Sequence, residues 1–252
     1  DYNTGIGFRS ICTNTTGSCN TAVGRQSLRN NTTASNNTAI GVNALIFNTT
    51  GADNSSVGVS ALTANTTGGN NVAFGMSALA ANTTAYSNTA IGNNALETNT
   101  TGASNVAVGR DSLKVNTTAS YNVAVGRDSL KANTTGSPNT AMGFQSLTSN
   151  TTGANNTAIG YQSLQSNSNG IRNTAIGHGT LNLNVSGHCN IAIGQVALNK
   201  NTASENTAIG ANAMEENTTG TQNTALGTGT LQANTTANGN TAVGFSTMQA
   251  NT

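Results

Sequence analysis

The side chains able to do chemistry are few and scattered. The 252-residue chain has two histidines, His178 and His188, three cysteines, and eight acids against nine basic residues. The acids include Asp53, Glu97, Glu205 and the adjacent Glu215 and Glu216. Their spacing gives no Ser-His-acid set, no metal-ligand pattern and no Asp column of the kind secreted calcium-binding β-rolls use. His188 beside Cys189 reads as a surface pair, the alternative being a metal site on a threefold axis. The expectation is a chain with no catalysis, no cofactor and no bound metal. Cys12 and Cys19 bracket one turn and can close a disulfide across it in an oxidising compartment. Three unpaired thiols is the equal alternative. The densest motif is Asn-x-Ser/Thr, the N-glycosylation sequon. It occurs at Asn14, Asn31, Asn48, Asn65, Asn82, Asn99, Asn116, Asn133, Asn150, Asn184, Asn217 and Asn234. Asn167 and Asn201 keep the Asn and lose the sequon, which favours a structural reading over a glycan-coated filament.

Those residues sit on a repeat. Counting from the Gly of "AIG", copies begin at Gly7, Gly24 and Gly41 and run on to Gly244, 17 residues apart at every step except Gly194 to Gly210, which is 16. The chain is fifteen copies of N-T-A-[IV]-G-x-x-[AS]-L-x-x-N-T-T-[GA]-x-x. Asn-Thr-Thr-Gly in each copy interrupts any helical run. The expectation is an all-β, stacked-coil β-solenoid (β-roll) with two short parallel strands per coil, "NTAIG" and "SLxx".

Column by column, alternation along a strand places Thr or Val at −3 and Ile or Val at −1 on one face. Being β-branched and apolar, that face is expected to point inward, together with Leu at +4. Ala at −2 and Gly at zero then lie on the opposite face. Their unvarying small size suggests the close approach of a second backbone. The column that includes Ala39/Gly41, Ala90/Gly92 and Ala158/Gly160 is therefore expected to carry self-association. Asn at −4 and at +7 in every copy marks the corners of the coil and can stack as amide ladders. "GRDSLK", at Arg110–Lys114 and again at Arg127–Lys131, reads as a solvated charged face.

Composition excludes several classes. Leu, Ile, Val and Phe make only 43 of 252 residues, yet net charge is +1, so this is not the charged composition of a disordered chain. There is no basic face for nucleic acid and no apolar run that would insert in a membrane as a helix. Residues 1–252 read as a single repetitive segment. Neither end carries an atypical cap, so the expectation is a longer fibre or copies abutting end to end.

The strand motifs "NTAIG", "NVAVG" and "NIAIG" resemble the β-roll of YadA-type heads in trimeric autotransporter adhesins. The longer "NTAIGYQSLQSN" resembles repeats of phage and bacterial tail-fibre-like proteins. The coil here is longer than in the adhesin heads by its "NTT[GA]" turn. The resemblance implies a left-handed, homotrimeric fibre segment, located extracellularly, at a cell surface or on a virion. It would act as a spacer or adhesive head with a host-surface glycan or receptor as partner. A lattice-binding solenoid of the ice-binding type is the alternative function.

Overall fold

A computed structural model describes residues 2–250; Asp1, Asn251 and Thr252, on which the expectation about the chain ends falls, lie outside the described residues. The chain divides after Arg127 into two units of the same construction. In the first, eight short strands follow one another: β1 (Thr4–Ile6), β2 (Thr21–Val23), β3 (Thr38–Ile40), β4 (Ser55–Val57), β5 (Val72–Phe74), β6 (Thr89–Ile91), β7 (Val106–Val108) and β8 (Val123–Val125). Each pairs in parallel with the next in strict register, Thr38 opposite Thr21 and Ala39 opposite Ala22. The second unit repeats this with β9 (Asn139–Met142), β10 (Asn156–Ile159), β11 (Thr174–Ile176), β12 (Ile191–Ile193), β13 (Thr207–Ile209), β14 (Thr224–Leu226) and β15 (Thr241–Val243). Each unit is an all-β solenoid with one strand per coil and no helix among the described residues.

One strand per coil corrects the expected two, and the reason lies in the backbone. The Gly that ends each strand has φ near +130°, as at Gly92 (φ +134°), where an added Cβ would stand 2.6 Å from the carbonyl oxygen of Gly109 one coil on. Beyond it the chain turns left-handed at alternate residues: Asn43 (φ 60°) and Leu45 (φ 51°), Ser60 (φ 57°) and Leu62 (φ 50°). A strand cannot continue through such residues. The turn nevertheless bonds to its neighbours, with Asn43 N–H donating to the Arg25 carbonyl (3.0 Å) and Leu45 N–H to that of Ala61 (3.0 Å). A left-handed Leu costs about 1–2 kcal/mol. Here it swings the side chain to full burial, worth about 1.5–3 kcal/mol, so the turn is tolerable because Leu fills the core.

The interior is narrow and half polar. Fully buried side chains come from Asn at −4, Ala at −2, small residues at +3, Leu at +4 and Asn at +7, so among the described residues the Leu column, with Met214 in one coil, supplies nearly all the large apolar volume of the core. The inward face of the strand is therefore the reverse of the one expected. Ala39, Ala90 and Ala158 have no exposed surface within a single chain. At Gly5, which replaces Ala in the first coil, an added Cβ would lie 2.9 Å from Ile11 Cγ2, so this position packs directly on the +4 side chain. The size restriction on Ala comes from a core one side chain wide. The backbone crowding Gly41, Gly92 and Gly160 is that of the next coil in the same chain. The small size of this column is thus accounted for within one chain, which buries its Ala side chains completely.

Two amide ladders complete the core. At +7, Asn48 Nδ2 donates to Oδ1 of Asn31 (3.0 Å) and to the Gly51 carbonyl (2.9 Å). At −4, Asn54 Nδ2 donates to Oδ1 of Asn37 (3.1 Å) and to the Gly68 carbonyl (2.9 Å), while Asn54 N–H also donates to Asn37 Oδ1 (3.0 Å). A buried amide without partners would cost a few kcal/mol; stacking in register supplies those bonds wherever the 17-residue period holds. The left-handed residue at this corner is the one before the −4 Asn, such as Asn36 (φ 61°) or Asp53 (φ 60°), not the ladder Asn itself.

Candidate functional site

Because Ala points inward, the strand's −3 and −1 residues point out. Each unit so presents a narrow parallel sheet face, Thr and Val in one column and branched or larger apolar residues in the next. Ile40, Phe74 and Ile91 in the first unit and Met142, Ile191 and Ile209 in the second are among its exposed apolar side chains. Neither column contains a charged residue. The +1 position flanks this face. In the first unit it adds exposed Phe8, Val42, Val59 and Met76. In the second it forms a ring stack, Phe144 on Tyr161 (centroids 5.4 Å apart) and Tyr161 on His178 (5.1 Å). Beside that stack runs an amide ladder, with Gln162 and Gln165 both donating to Gln145 Oε1 (3.0 and 3.1 Å).

Charges keep to the turns, and several pair locally. Asp111, almost buried, receives Arg110 (3.2 Å) and Lys114 (3.2 Å), and Lys114 also reaches Glu97 (3.4 Å). The hydrogen bond to Asp111, reinforced by both carboxylates, raises the Lys114 ammonium above its ordinary 10.5 despite partial desolvation. In the second unit Lys131 meets Asp128 (2.9 Å). Lys200 meets Glu216 (2.6 Å), which raises the lysine pKa in the same sense. The tandem "GRDSLK" charges thus form short pairs on a solvated surface.

The sequon asparagines are placed unambiguously. Asn31, Asn48, Asn65, Asn82, Asn99, Asn116, Asn133, Asn150, Asn184, Asn217 and Asn234 are fully buried in the +7 ladder, and Asn14 at the first coil is half-buried. A glycan would occupy the Nδ2 that donates to the ladder, in a space the next coil fills. Their burial and ladder bonds fit the structural reading of these asparagines. Their retention at Asn167 and Asn201, where the sequon is lost, has the same cause. Cys12, Cys19 and Cys189 are exposed and unbridged in this structure.

His178 belongs to the ring stack, while Nδ1 of His188 accepts the N–H of Ile171 (3.0 Å). Among the described residues no three His, Cys, Asp or Glu side chains gather to hold a metal ion. A shallow depression of about 220 Å³ beside Pro138, Asn139, Thr140, Asn155, Asn156 and Thr157 contains no titratable group. No helix among the described residues is long and apolar enough to cross a membrane. Compared with protein-family models, curated proteins and solved structures, the chain matches none.

Proposed function

We propose that the protein is a structural segment of an extracellular or virion fibre, a spacer or adhesive head that assembles with copies of itself, as a left-handed homotrimer, through the outward Thr/aliphatic face. The observation that carries this reading is that each unit leaves a continuous, uncharged, in-register apolar strip in solvent. Most coils meanwhile bury a single large side chain. A core so thin gains from covering that strip, because apolar burial is its main further source of stability. The likeness of "NTAIG" to adhesin-head and tail-fibre repeats supports the same reading. Ile91→Glu and Ile209→Glu each place a carboxylate on the strip at a partly exposed position. Light scattering should show smaller assemblies with unchanged far-ultraviolet circular dichroism; undiminished assemblies would count against the interface.

A second reading has its own observation. Thr at −3 repeats in register on a parallel strand, which is the geometry of a lattice-matching surface, and the face is free of charge. Such a module would bind ice or a regular polymer, and thermal hysteresis would reveal the first of these.

A further inference from the structure

Two irregularities fall on one turn of the second unit. The first is the 16-residue coil. Along the +7 ladder each Nδ2 donates to the Oδ1 one coil earlier, as in Asn167 to Asn150 (2.8 Å), Asn184 to Asn167 (3.0 Å) and Asn217 to Asn201 (2.7 Å). Asn201 breaks the sequence. The missing residue shortens its turn, its Nδ2 donates to the Ala203 carbonyl (2.8 Å), and Oδ1 of Asn184 is left buried without a partner. The backbone repeats the fault. Ser168 and Asn169 both donate to the Val185 carbonyl (2.9 and 3.4 Å), and Thr218 and Thr219 both to that of Thr235 (2.9 and 3.1 Å). Among the described residues Val185 and Ser186 make no such pair with the coil that follows.

The second irregularity is the acceptor at His188. At the corresponding place elsewhere a backbone N–H donates to a side chain that does not titrate: Ser18 to Ser35 Oγ (3.0 Å), Ala103 to Ser120 Oγ (2.9 Å), Thr221 to Asn238 Oδ1 (2.6 Å). Ile171 donates to an imidazole nitrogen. That nitrogen accepts only while the ring is neutral, and a protonated ring would set N–H against N–H. The charged and titratable groups alongside are Arg172 one coil before, Cys189 on the same coil and Glu205 one coil after, all exposed and in the neighbouring column. The Glu205 carboxylate is held by Gln222 (3.0 Å).

We propose that the turn formed by residues 184–189 is an acid-released seam in the solenoid. Above the pH at which His188 takes up a proton, its Nδ1 ties the turn to the preceding coil. Below that pH this bond is lost, on a turn whose ladder bond to the following coil is already missing, and the turn loosens while the Cys189 N–H still donates to the Ile171 carbonyl (3.0 Å) and the His188 N–H to Ser204 Oγ (2.9 Å). The inference stands on this unit alone and does not depend on how copies assemble.

The test is amide hydrogen exchange on the full chain at about pH 7.5 and about pH 5.5, a range that only histidine ordinarily titrates across, with each rate divided by its intrinsic value. Protection at Ile171 and across residues 184–189 should fall roughly fivefold on acidification, the factor expected for one hydrogen bond of ordinary net strength. His188→Ser restores the acceptor used in other coils and should abolish the fall, while His178→Gln should leave it intact. Equal protection at both pH values in the unaltered protein, or the same fall in His188→Ser, would overturn the proposal.

Discussion

Truncating Asn99 to alanine tests whether amides hold this core as firmly as leucines do. Asn99 is fully buried. Its Nδ2 donates to the Gly102 carbonyl (2.9 Å) and to Asn82 Oδ1 (3.2 Å), and its Oδ1 accepts from Asn116 Nδ2 (2.8 Å). Three bonds at about 1 kcal/mol net each give about 3 kcal/mol. The neighbours are not left equally exposed to the loss. The Gly102 carbonyl keeps Asn88 Nδ2 (2.9 Å) and Asn116 keeps the Ala119 carbonyl (2.9 Å), but Asn82 Oδ1 loses its ladder donor inside the core. That orphan adds about 1 kcal/mol or more, for a total near 4 kcal/mol. Leu96→Ala should cost about 2–5 kcal/mol, so the polar and apolar columns are expected to rank together. Coils of a solenoid open locally, so the assay is hydrogen exchange at Leu96 and Thr100, whose N–H groups donate to Ser112 (3.0 Å) and Thr117 (2.9 Å). Asn99→Ala should speed exchange there about a thousandfold, since about 1.4 kcal/mol is a factor of ten. Asn36, exposed and bonded only to the Asp53 carboxylate (3.0 Å), should cost less than about 0.5 kcal/mol when truncated. A loss below about 1 kcal/mol for Asn99→Ala would refute the view that the ladders hold the coils together.

Other outcomes follow from the same geometry. Gly92→Ala forces both a left-handed φ of +134° and a Cβ 2.6 Å from the Gly109 carbonyl, so it should destabilise by at least about 2 kcal/mol in thermal melting. Gly239→Ala, at φ +70° with no atom within 4 Å of the added Cβ, should cost only about 1 kcal/mol. Folded protein purified from a glycosylating host should carry no sugar on Asn65 or Asn99 by peptide mass mapping. A glycan found there on a chain with native circular dichroism would contradict the ladder assignment.

The period, the Asn columns and the Leu core could all be read from residue spacing, because each is enforced at every copy. The direction of the strand could not. With three residues to a strand, alternation says that Ala22 and Thr21 face opposite ways but not which way is in. Hydrophobicity favours Val23 as the inward residue. The decisive quantity is the width of the coil: Ile11 would stand only 2.9 Å from a Cβ placed at Gly5, and the column holds nothing larger than alanine or the buried Ser56. The second expected strand failed for a related reason. Leu is a poor left-handed residue, so nothing at Leu45 or Leu62 signals a turn until the need to bury that side chain is weighed against φ. The small +3 column was also legible in part: Ser112 and Ser129 lie where a hydroxyl can donate to the carbonyls of Ala124 (3.0 Å) and Ala141 (3.1 Å) one coil on, which explains why Ser alternates with Ala there. The acceptor role of His188 carries no signal in the sequence, since the same turn position elsewhere varies freely, with Ser, Ala, Gly, Tyr, Ile, Thr and Asn among its occupants.

The most direct measurement of the central claim is the native mass of the full chain in solution, followed across a range of concentrations by sedimentation or native mass spectrometry. A structural fibre segment that covers its Thr/aliphatic strip with copies of itself should sediment at three times the chain mass, and Ile91→Glu should return it toward one. A chain that sediments as a monomer at every concentration would contradict the account.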